Sequence, residues 1–149
     1  MGMKSSDMIR PLLRHFNWQT SRIIPECTID GGIADLLIIT KAGYLTEVEI
    51  KVSLSDWKAD ADKWKWTGKR ERISRFFYAV PVELAGRAPD NLPFGAGILS
   101  VRLGINVVRP AVRTRAKRIE PEEYGKLMEA FYWRFWKLRF SLDKRTTGA

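Results

Sequence analysis

The sequence predicts an α/β protein in which a mixed β-sheet of about four to five strands is flanked by helices. Three segments of strand length, which are the apolar runs at residues 33–40 and 76–80 and a segment with period-2 alternation at residues 44–52, are separated by turn residues or by a segment with helical spacing. Segments with helical spacing also stand near both ends of the chain. Strands and helices that alternate along a chain are typical of a sheet covered by helices, so this class accounts for the whole pattern.

The first half of the chain is interpreted as a helix, a strand and a hairpin. Met8 and Leu12 recur at helical spacing, which predicts a helix over residues 7–16. Residues 18–28 alternate loosely and contain Pro25, which is typical of an edge strand or a bulged strand. The apolar run at residues 33–40 and the alternating segment at residues 44–52 are joined by a Lys-Ala-Gly turn and are predicted to form a β-hairpin.

The second half begins with another helix. Ser53 and Asp56 fit a capping-box-like start, which predicts a helix over residues 53–66. Asp56 or Asp60 of this helix is a candidate contact of Lys51 or Lys58. The remaining predicted elements are strands at residues 76–80, 98–102 and 106–109 and a final helix from residue 120 to about residue 140. We expect one domain over residues 1–140 and a flexible tail at residues 141–149.

Charge and composition restrict the classes of function. The 149 residues include 26 Lys and Arg but only 17 Asp and Glu, and the net charge of +9 suits a polyanion such as DNA, with an anionic membrane surface as the alternative. The single Cys27 and the single His15 exclude an internal disulfide, a cysteine-rich zinc site and a histidine-based metal cluster. Metal chemistry would therefore use carboxylates, which favours Mg²⁺ (or Mn²⁺). Without an apolar run long enough to span a membrane or a signal-peptide pattern, we expect a cytoplasmic protein with no membrane contact.

The predicted central hairpin carries the residues with the clearest chemistry. Asp35 lies in a run whose two faces are both apolar, and a buried carboxylate there is costly unless it is paired or binds a metal. In a hairpin that turns at residues 41–43, positions that sum to about 84–86 face each other, which places Asp35 opposite Glu49 to Lys51. Two carboxylates and a lysine at one point are the groups that metal-assisted phosphodiester hydrolysis requires. The alternatives are that Asp35 caps the preceding turn and that Glu47, Glu49 and Lys51 form the solvated face of a half-buried strand.

These residues resemble the PD-(D/E)xK motif of a nuclease superfamily, with Asp35, a short hairpin and then Glu49-Ile50-Lys51. The segments EIKVSLSDWKADADKW and FFYAVP are similar to the MmcB-like DNA-repair branch of that superfamily. The resemblance covers about residues 33–81 and implies a restriction-endonuclease-like core. It also implies a Mg²⁺-dependent (or Mn²⁺-dependent) deoxyribonuclease of DNA repair or phage DNA processing, in which Asp35 and Glu49 hold the metal and Lys51 is catalytic.

The chain departs from the superfamily pattern at two points. Ala34 stands where the motif has proline, a replacement that is common in such families. Many members carry a further glutamate on the first helix, which the helix predicted here lacks, and Glu26 is the candidate to replace it. Without such a replacement the site would hold one metal rather than two, or would be weak or inactive. A non-catalytic DNA-binding module on the same fold is therefore the alternative function.

Basic residues follow the motif and recur after the last predicted strand. Trp66 is the candidate among them for base stacking, whereas Trp57 and Trp64 share a face with Ala61 and are expected in the core. The alternative for the basic residues is ordinary solvated charge. We expect phosphate contacts from Lys58, Lys65, Lys69, Arg70, Arg72, Arg113 and Arg115.

The final helix has two apolar stripes. The first, which we expect to pack on the sheet, consists of Tyr124, Leu127, Met128, Phe131, Phe135 and Leu138. The second, with Trp133, Trp136 and Phe140, is too aromatic to remain bare and predicts a homodimer or a protein partner. An interaction protein built around this helix is the third function that the sequence leaves open.

Overall fold

The structure is a computed structural model that describes residues 2–67 and 71–146, without the side chains of residues 64–67 and 145–146. Its contacts divide the chain into two units, Met1–Arg118 and Ile119–Ala149. The elements in chain order are α1 (Ser5–His15), β1 (Arg22–Ile29), β2 (Gly32–Ile39), β3 (Leu45–Ile50), α2 (Leu54–Thr67), β4 (Arg75–Pro81), α3 (Val82–Ala85), β5 (Gly97–Val101), β6 (Ile105–Arg109) and α4 (Pro121–Thr146). The single domain over residues 1–140 and the flexible tail stay predictions.

The strands of the first unit form one mixed sheet in the order β1-β2-β3-β4-β5-β6. The pairs β3–β4 and β4–β5 are parallel, whereas β1–β2, β2–β3 and β5–β6 are antiparallel. Parallel neighbours need a crossover connection, and α2 and α3 lie in the two crossovers. The mixed α/β class is therefore confirmed. The expected count of about four to five strands is wrong, because the described sheet has six; its last strand, β6, is a short and largely exposed edge whose apolar signal in the sequence is weak.

Helices cover the two faces of the sheet. On one face α1 contributes the fully buried Met8 and Leu12 to a cluster with residues of β2, β3, β4 and β5. On the other face Trp57 of α2 packs with Tyr78 of β4 and Ala85 of α3. Burial on both faces explains why β2 and β4 consist of nearly continuous apolar runs.

The register of the central hairpin matches the prediction. Leu36 pairs with Val48 and Ile39 pairs with Leu45, so paired positions sum to 84. Gly43 adopts a φ of 91° in the turn, a conformation that favours glycine. This turn fixes which residues of β2 and β3 face each other, and therefore where the carboxylates lie.

Two local predictions at the element boundaries are also confirmed. The backbone N–H of Asp56 donates to Ser53 Oγ at 3.2 Å, which caps the start of α2. The edge strand β1 is distorted at Glu26, whose φ of 48° interrupts the regular pairing between Pro25 and Cys27. This distortion places Glu26 beside the position of Asp35 on β2.

The final helix is longer than the sequence analysis predicted. It continues to Thr146 rather than ending near Phe140, and the ion pair between Arg139 Nε and Asp143 Oδ1 at 3.7 Å supports the added turns. Its exposed apolar residues are Phe131, Tyr132, Trp133, Phe135, Trp136, Leu138, Phe140 and Leu142. The homodimer or protein partner at these residues stays a prediction. Across the described ranges, none of the helices combines the length and the apolar character that a membrane crossing requires.

Candidate active site

Asp35 and Glu49 lie side by side where the central hairpin leaves its regular pairing. Leu36 and Val48 form the last regular pair, so Asp35 and Glu49 occupy the next opposed positions. The backbone N–H of Ile50 donates to Asp35 Oδ2 at 2.7 Å, which fixes the Asp35 carboxylate against β3. The structure therefore brings together the two carboxylates that the sequence analysis paired.

Glu49 is a buried carboxyl group in an acidic environment. Its side chain is on the α2 face of the sheet with Glu47, and the residues are only 8% and 0% exposed. Burial raises the pKa of Glu49 to about 9, and a hydrogen bond with Glu47 and the negative charges of Asp35, Glu47 and Asp60 act in the same direction. At neutral pH Glu49 therefore keeps a proton unless a cation replaces it. The alternative that Glu47 and Glu49 form a solvated strand face is wrong, because the second helix covers this face.

Lys51 is held next to this acidic group. Its backbone N–H donates to the carbonyl oxygen of Ala79, which extends the pairing of β3 with β4 by one residue. Its ammonium Nζ lies 3.2 Å from Asp60 Oδ1, and both side chains are more than four-fifths buried. Because both side chains are largely buried, breaking this ion pair would cost more stability than breaking an exposed surface pair.

Asp60 connects Lys51 to the core of the first unit. Tyr78 Oη donates to Asp60 Oδ2 at 2.9 Å, so each carboxylate oxygen of Asp60 has its own partner. The Tyr78 ring packs against Trp57 and Phe76, with centroids at 5.7 and 4.9 Å. Two well-packed elements, α2 and β4, therefore determine where the Lys51 ammonium lies.

The residues fit a divalent cation that takes few ligands from the protein. Within the described ranges no group of three or more His, Cys, Asp or Glu side chains is arranged to hold a metal ion. Mg²⁺ commonly takes only one or two carboxylates from a protein and completes its coordination with water and substrate phosphate. Glu49 Oε1 is a buried oxygen that no hydrogen-bond donor of the described residues reaches. Asp35 and Glu49 would hold such a cation.

Glu26, the candidate for an additional ligand, also lies near Asp35. Both line a cavity of about 460 Å³, together with Ser5 and Ser6 of α1 and Ile50 of β3. The left-handed backbone at Glu26 turns this residue out of the regular ladder. Its contribution to a metal stays a prediction.

The predicted phosphate-binding residues fall into different environments. Arg72 is anchored to the turn after β1, since its backbone N–H and its Nε approach Asp30 Oδ2 and Oδ1 at 3.2 and 3.8 Å. Lys58 is exposed on α2, Arg113 stacks on Tyr44, and Arg115 is exposed. The side chains of Lys65 and Trp66, and all of Lys69 and Arg70, lie outside the described residues.

Sequence reasoning missed the role of Tyr78 and only partly anticipated Asp60. Tyr78 stands in the apolar run of β4, which reads as core. The sequence predicts Asp56 or Asp60 as a contact of Lys51 or Lys58, and the ion pair with Lys51 confirms this contact for Asp60. The helical spacing between Trp57 and Asp60 was the available signal, because a residue three positions from a core tryptophan lies near the buried face.

The fold and the site define a mixed α/β protein with two adjacent carboxylates and a fixed lysine at the end of its central hairpin. The family model described as "DNA repair protein MmcB-like" matches residues 3–132, and the chain belongs to this MmcB-like family. Membership indicates a role in DNA repair and an interaction with DNA.

A solved structure and the curated proteins complete the comparison. A protein of unknown function from Silicibacter pomeroyi has a similar fold, with a TM-score of 0.65 and 24% sequence identity over 93% of this chain and 90% of that one. None of the curated proteins matches this chain. The likeness to the Silicibacter protein concerns the fold alone.

Proposed function

We propose that this protein is a metal-dependent nuclease that hydrolyses phosphodiester bonds of DNA during repair. The observation that carries the proposal is the buried Glu49 carboxyl beside Asp35, with the ammonium of Lys51 fixed two residues further along the chain. Membership in the PD-(D/E)xK superfamily and a restriction-endonuclease-like core belong to this proposal. They account for the two carboxylates and the lysine as one site.

Asp35 and Glu49 act in this proposal as the ligands of Mg²⁺ or Mn²⁺. Held there, such an ion would stabilise negative charge on the phosphate and would lower the pKa of a coordinated water. The Asp35 carboxylate is preorganised, because its Oδ2 accepts a hydrogen bond from the backbone N–H of Ile50. Glu49 contributes a carboxyl that exchanges its proton for the cation, since burial and the neighbouring acids disfavour its bare anionic form.

Lys51 orients the attacking water or stabilises the charge that develops on the phosphate. A lysine ammonium has three N–H donors, and Asp60 occupies one of them. The other two donors would serve a phosphate oxygen or a water in this proposal. Because Tyr78 fixes Asp60, the ammonium keeps its place before the substrate binds.

A cleavage panel tests this function. Labelled single-stranded, duplex, flap and junction DNAs are incubated with the full chain and with Mg²⁺ or Mn²⁺. We expect cleavage of at least one substrate, lost in Asp35→Ala and Lys51→Ala and retained in the control Glu83→Ala, which alters an exposed carboxylate on α3. Cleavage by both site variants at the wild-type rate would refute the assignment.

The second candidate function is a non-catalytic DNA-binding module. Two observations favour it: the described residues provide no group of three side-chain ligands, and the net charge is +9. DNA binding without cleavage under either metal, on every substrate of the panel, would establish this function in place of the nuclease. Such a result would leave the DNA-repair role of the family unchanged.

A further inference from the structure

Two arginines converge on one tyrosine at the turn of the central hairpin. The guanidinium carbon of Arg113 lies 4.4 Å from the centroid of the Tyr44 ring, and that of Arg118 lies 5.5 Å from it. A hydrogen bond from Arg118 lowers the pKa of the Tyr44 phenol, with the charges of both arginines acting in the same direction. The aliphatic part of Arg118 passes over Gly43, where a Cβ would lie 3.6 Å from it.

The chain that carries these arginines is fixed to the sheet, although it has no regular secondary structure. The backbone N–H of Val112 donates to the carbonyl oxygen of Gly95 at 2.9 Å. Thr114 donates twice, from its N–H to Ser74 O and from its hydroxyl to Ile73 O, each at 2.8 Å. These bonds hold the segment across the starts of β4 and β5, so the positions of the arginines do not depend on a freely moving loop.

The two guanidinium groups are exposed and carry the same charge. Among the described residues no carboxylate lies within ion-pair distance of Arg113 or Arg118. Cation–π contact with Tyr44 offsets part of the repulsion between them, but it leaves their charge in place. An anion that accepts hydrogen bonds from both groups would stabilise the arrangement, and a phosphodiester matches the planar donor geometry of arginine.

We propose that Tyr44, Arg113 and Arg118 form a phosphate clamp that holds the backbone of DNA at a point separate from the candidate active site. Tyr44 precedes β3 and Glu49 stands near its end, so five residue steps separate them. At about 3.3 Å per strand residue this is about 17 Å, or about five nucleotides of a DNA strand. The choice of DNA as the ligand rests on the proposed function and on the family.

Binding measurements without metal test the clamp. The full chain and the double variant Arg113→Gln/Arg118→Gln are titrated against a labelled duplex of about 20 base pairs in EDTA, at about 50 and about 200 mM salt. The control, Arg10→Gln/Arg14→Gln, removes the same charge from exposed positions of α1. Circular dichroism confirms that each variant is folded.

We expect the clamp variant to bind DNA more weakly than the control variant does. The ratio of the two affinities should be about tenfold larger at about 50 mM salt than at about 200 mM salt. This ratio follows from the loss of two phosphate contacts, each of which contributes about 0.9 to the salt slope. Equal losses in the two double variants would overturn the proposal, because net charge alone would then explain binding. Wild-type affinity in the clamp variant would overturn it as well.

The binding test of the clamp and the cleavage test of the nuclease can fail independently of each other. A chain that binds DNA through the clamp but cuts nothing refutes only the nuclease, since the binding assay contains no metal. A clamp variant that binds and cuts as the wild type does refutes only the clamp.

Discussion

At the end of β3, acidic side chains are buried together, whereas before its start, basic side chains converge in solvent. Glu49 responds to burial with a pKa raised to about 9, so that it holds a proton or requires a cation. Arg113 and Arg118 are exposed, so that water hydrates their guanidinium groups. The comparison shows that a cluster of like charges favours a different ligand when it is buried than when it is exposed. The buried group favours a metal, and the exposed group favours a phosphate.

Among the substitutions, the largest effect on DNA cleavage is expected at the buried acidic group at the end of β3. Lys51→Ala should lower the rate of DNA cleavage by about 10³-fold, because the ammonium that faces the phosphate or the attacking water is lost. DNA affinity in EDTA should change little, since one partly buried lysine adds little to a surface of many cations. Single-turnover cleavage and a binding titration measure the two effects, with Lys137→Ala, which alters an exposed lysine of α4, as the control. A parallel loss of binding and cleavage would show that Lys51 only attracts DNA.

The raised pKa of Glu49 makes stability depend on pH. Between the ordinary pKa of 4.5 and about 9, the unfolded chain releases this proton while the folded chain keeps it. The free energy of unfolding should therefore fall as pH rises, by at most about 1.4 kcal/mol per pH unit from this group. Glu49→Gln, which resembles the protonated form, should equal the wild type near pH 4 and exceed it in stability at pH 8.

Urea unfolding followed by tryptophan fluorescence measures this pH dependence. The same decline with pH in the wild type and in Glu49→Gln would show that the group is ionised in the folded chain. Mg²⁺ should raise wild-type stability more at pH 8 than at pH 5, because the cation competes with the proton.

A smaller effect on DNA cleavage is expected at Asp60, which contacts Lys51. Asp60→Asn keeps an acceptor for the Tyr78 hydroxyl but removes the charge opposite Lys51. The cleavage rate at saturating DNA should fall about tenfold at a temperature where the variant is folded, because the ammonium is no longer held in place. Stability should fall as well, since the largely buried Lys51 loses its counterion. Tyr78→Phe is the matched control, and it should cost about 1 kcal/mol of stability with a weaker effect on rate. A wild-type cleavage rate in the folded Asp60→Asn variant would assign Asp60 to folding instead.

The smallest effect, a change in DNA affinity, is expected at Tyr44, in the exposed basic group before β3. Tyr44→Leu keeps both arginines but removes the ring that positions them, so duplex affinity at low salt should fall about threefold. Tyr44→Phe keeps the ring and should bind almost as the wild type does. Fluorescence anisotropy of a labelled duplex compares the two variants. If both variants lose the same affinity, the phenol rather than the ring is the important group.

Much of the central hairpin was predictable because its pattern is local. The turn at Gly43 fixes the register, and the register alone places Asp35 opposite Glu49. Period-2 and helical spacings also gave the positions of α1, α2 and β4 within a few residues. Short-range rules determine these features, so one sequence was sufficient.

The features that the sequence did not reveal depend on tertiary packing. Glu47 alternates with apolar residues as a solvated strand residue would, and only the covering helix makes it fully buried. Tyr78 looks like a core residue until its hydroxyl is seen to reach Asp60. The contact of Arg118 with Tyr44 joins residues 74 positions apart, which no local pattern encodes.

The most direct test of the central claim is a Mn²⁺ titration of the Lys51→Ala variant in complex with duplex DNA. This variant should retain the carboxylates while it leaves the DNA uncut, so no heat of cleavage enters the calorimetry. A titration of the same DNA without protein is subtracted to remove the binding of Mn²⁺ to the DNA phosphates. We predict saturable binding of Mn²⁺ that disappears when Asp35→Asn and Glu49→Gln are added. Equal Mn²⁺ binding with and without these two carboxylates would contradict the account.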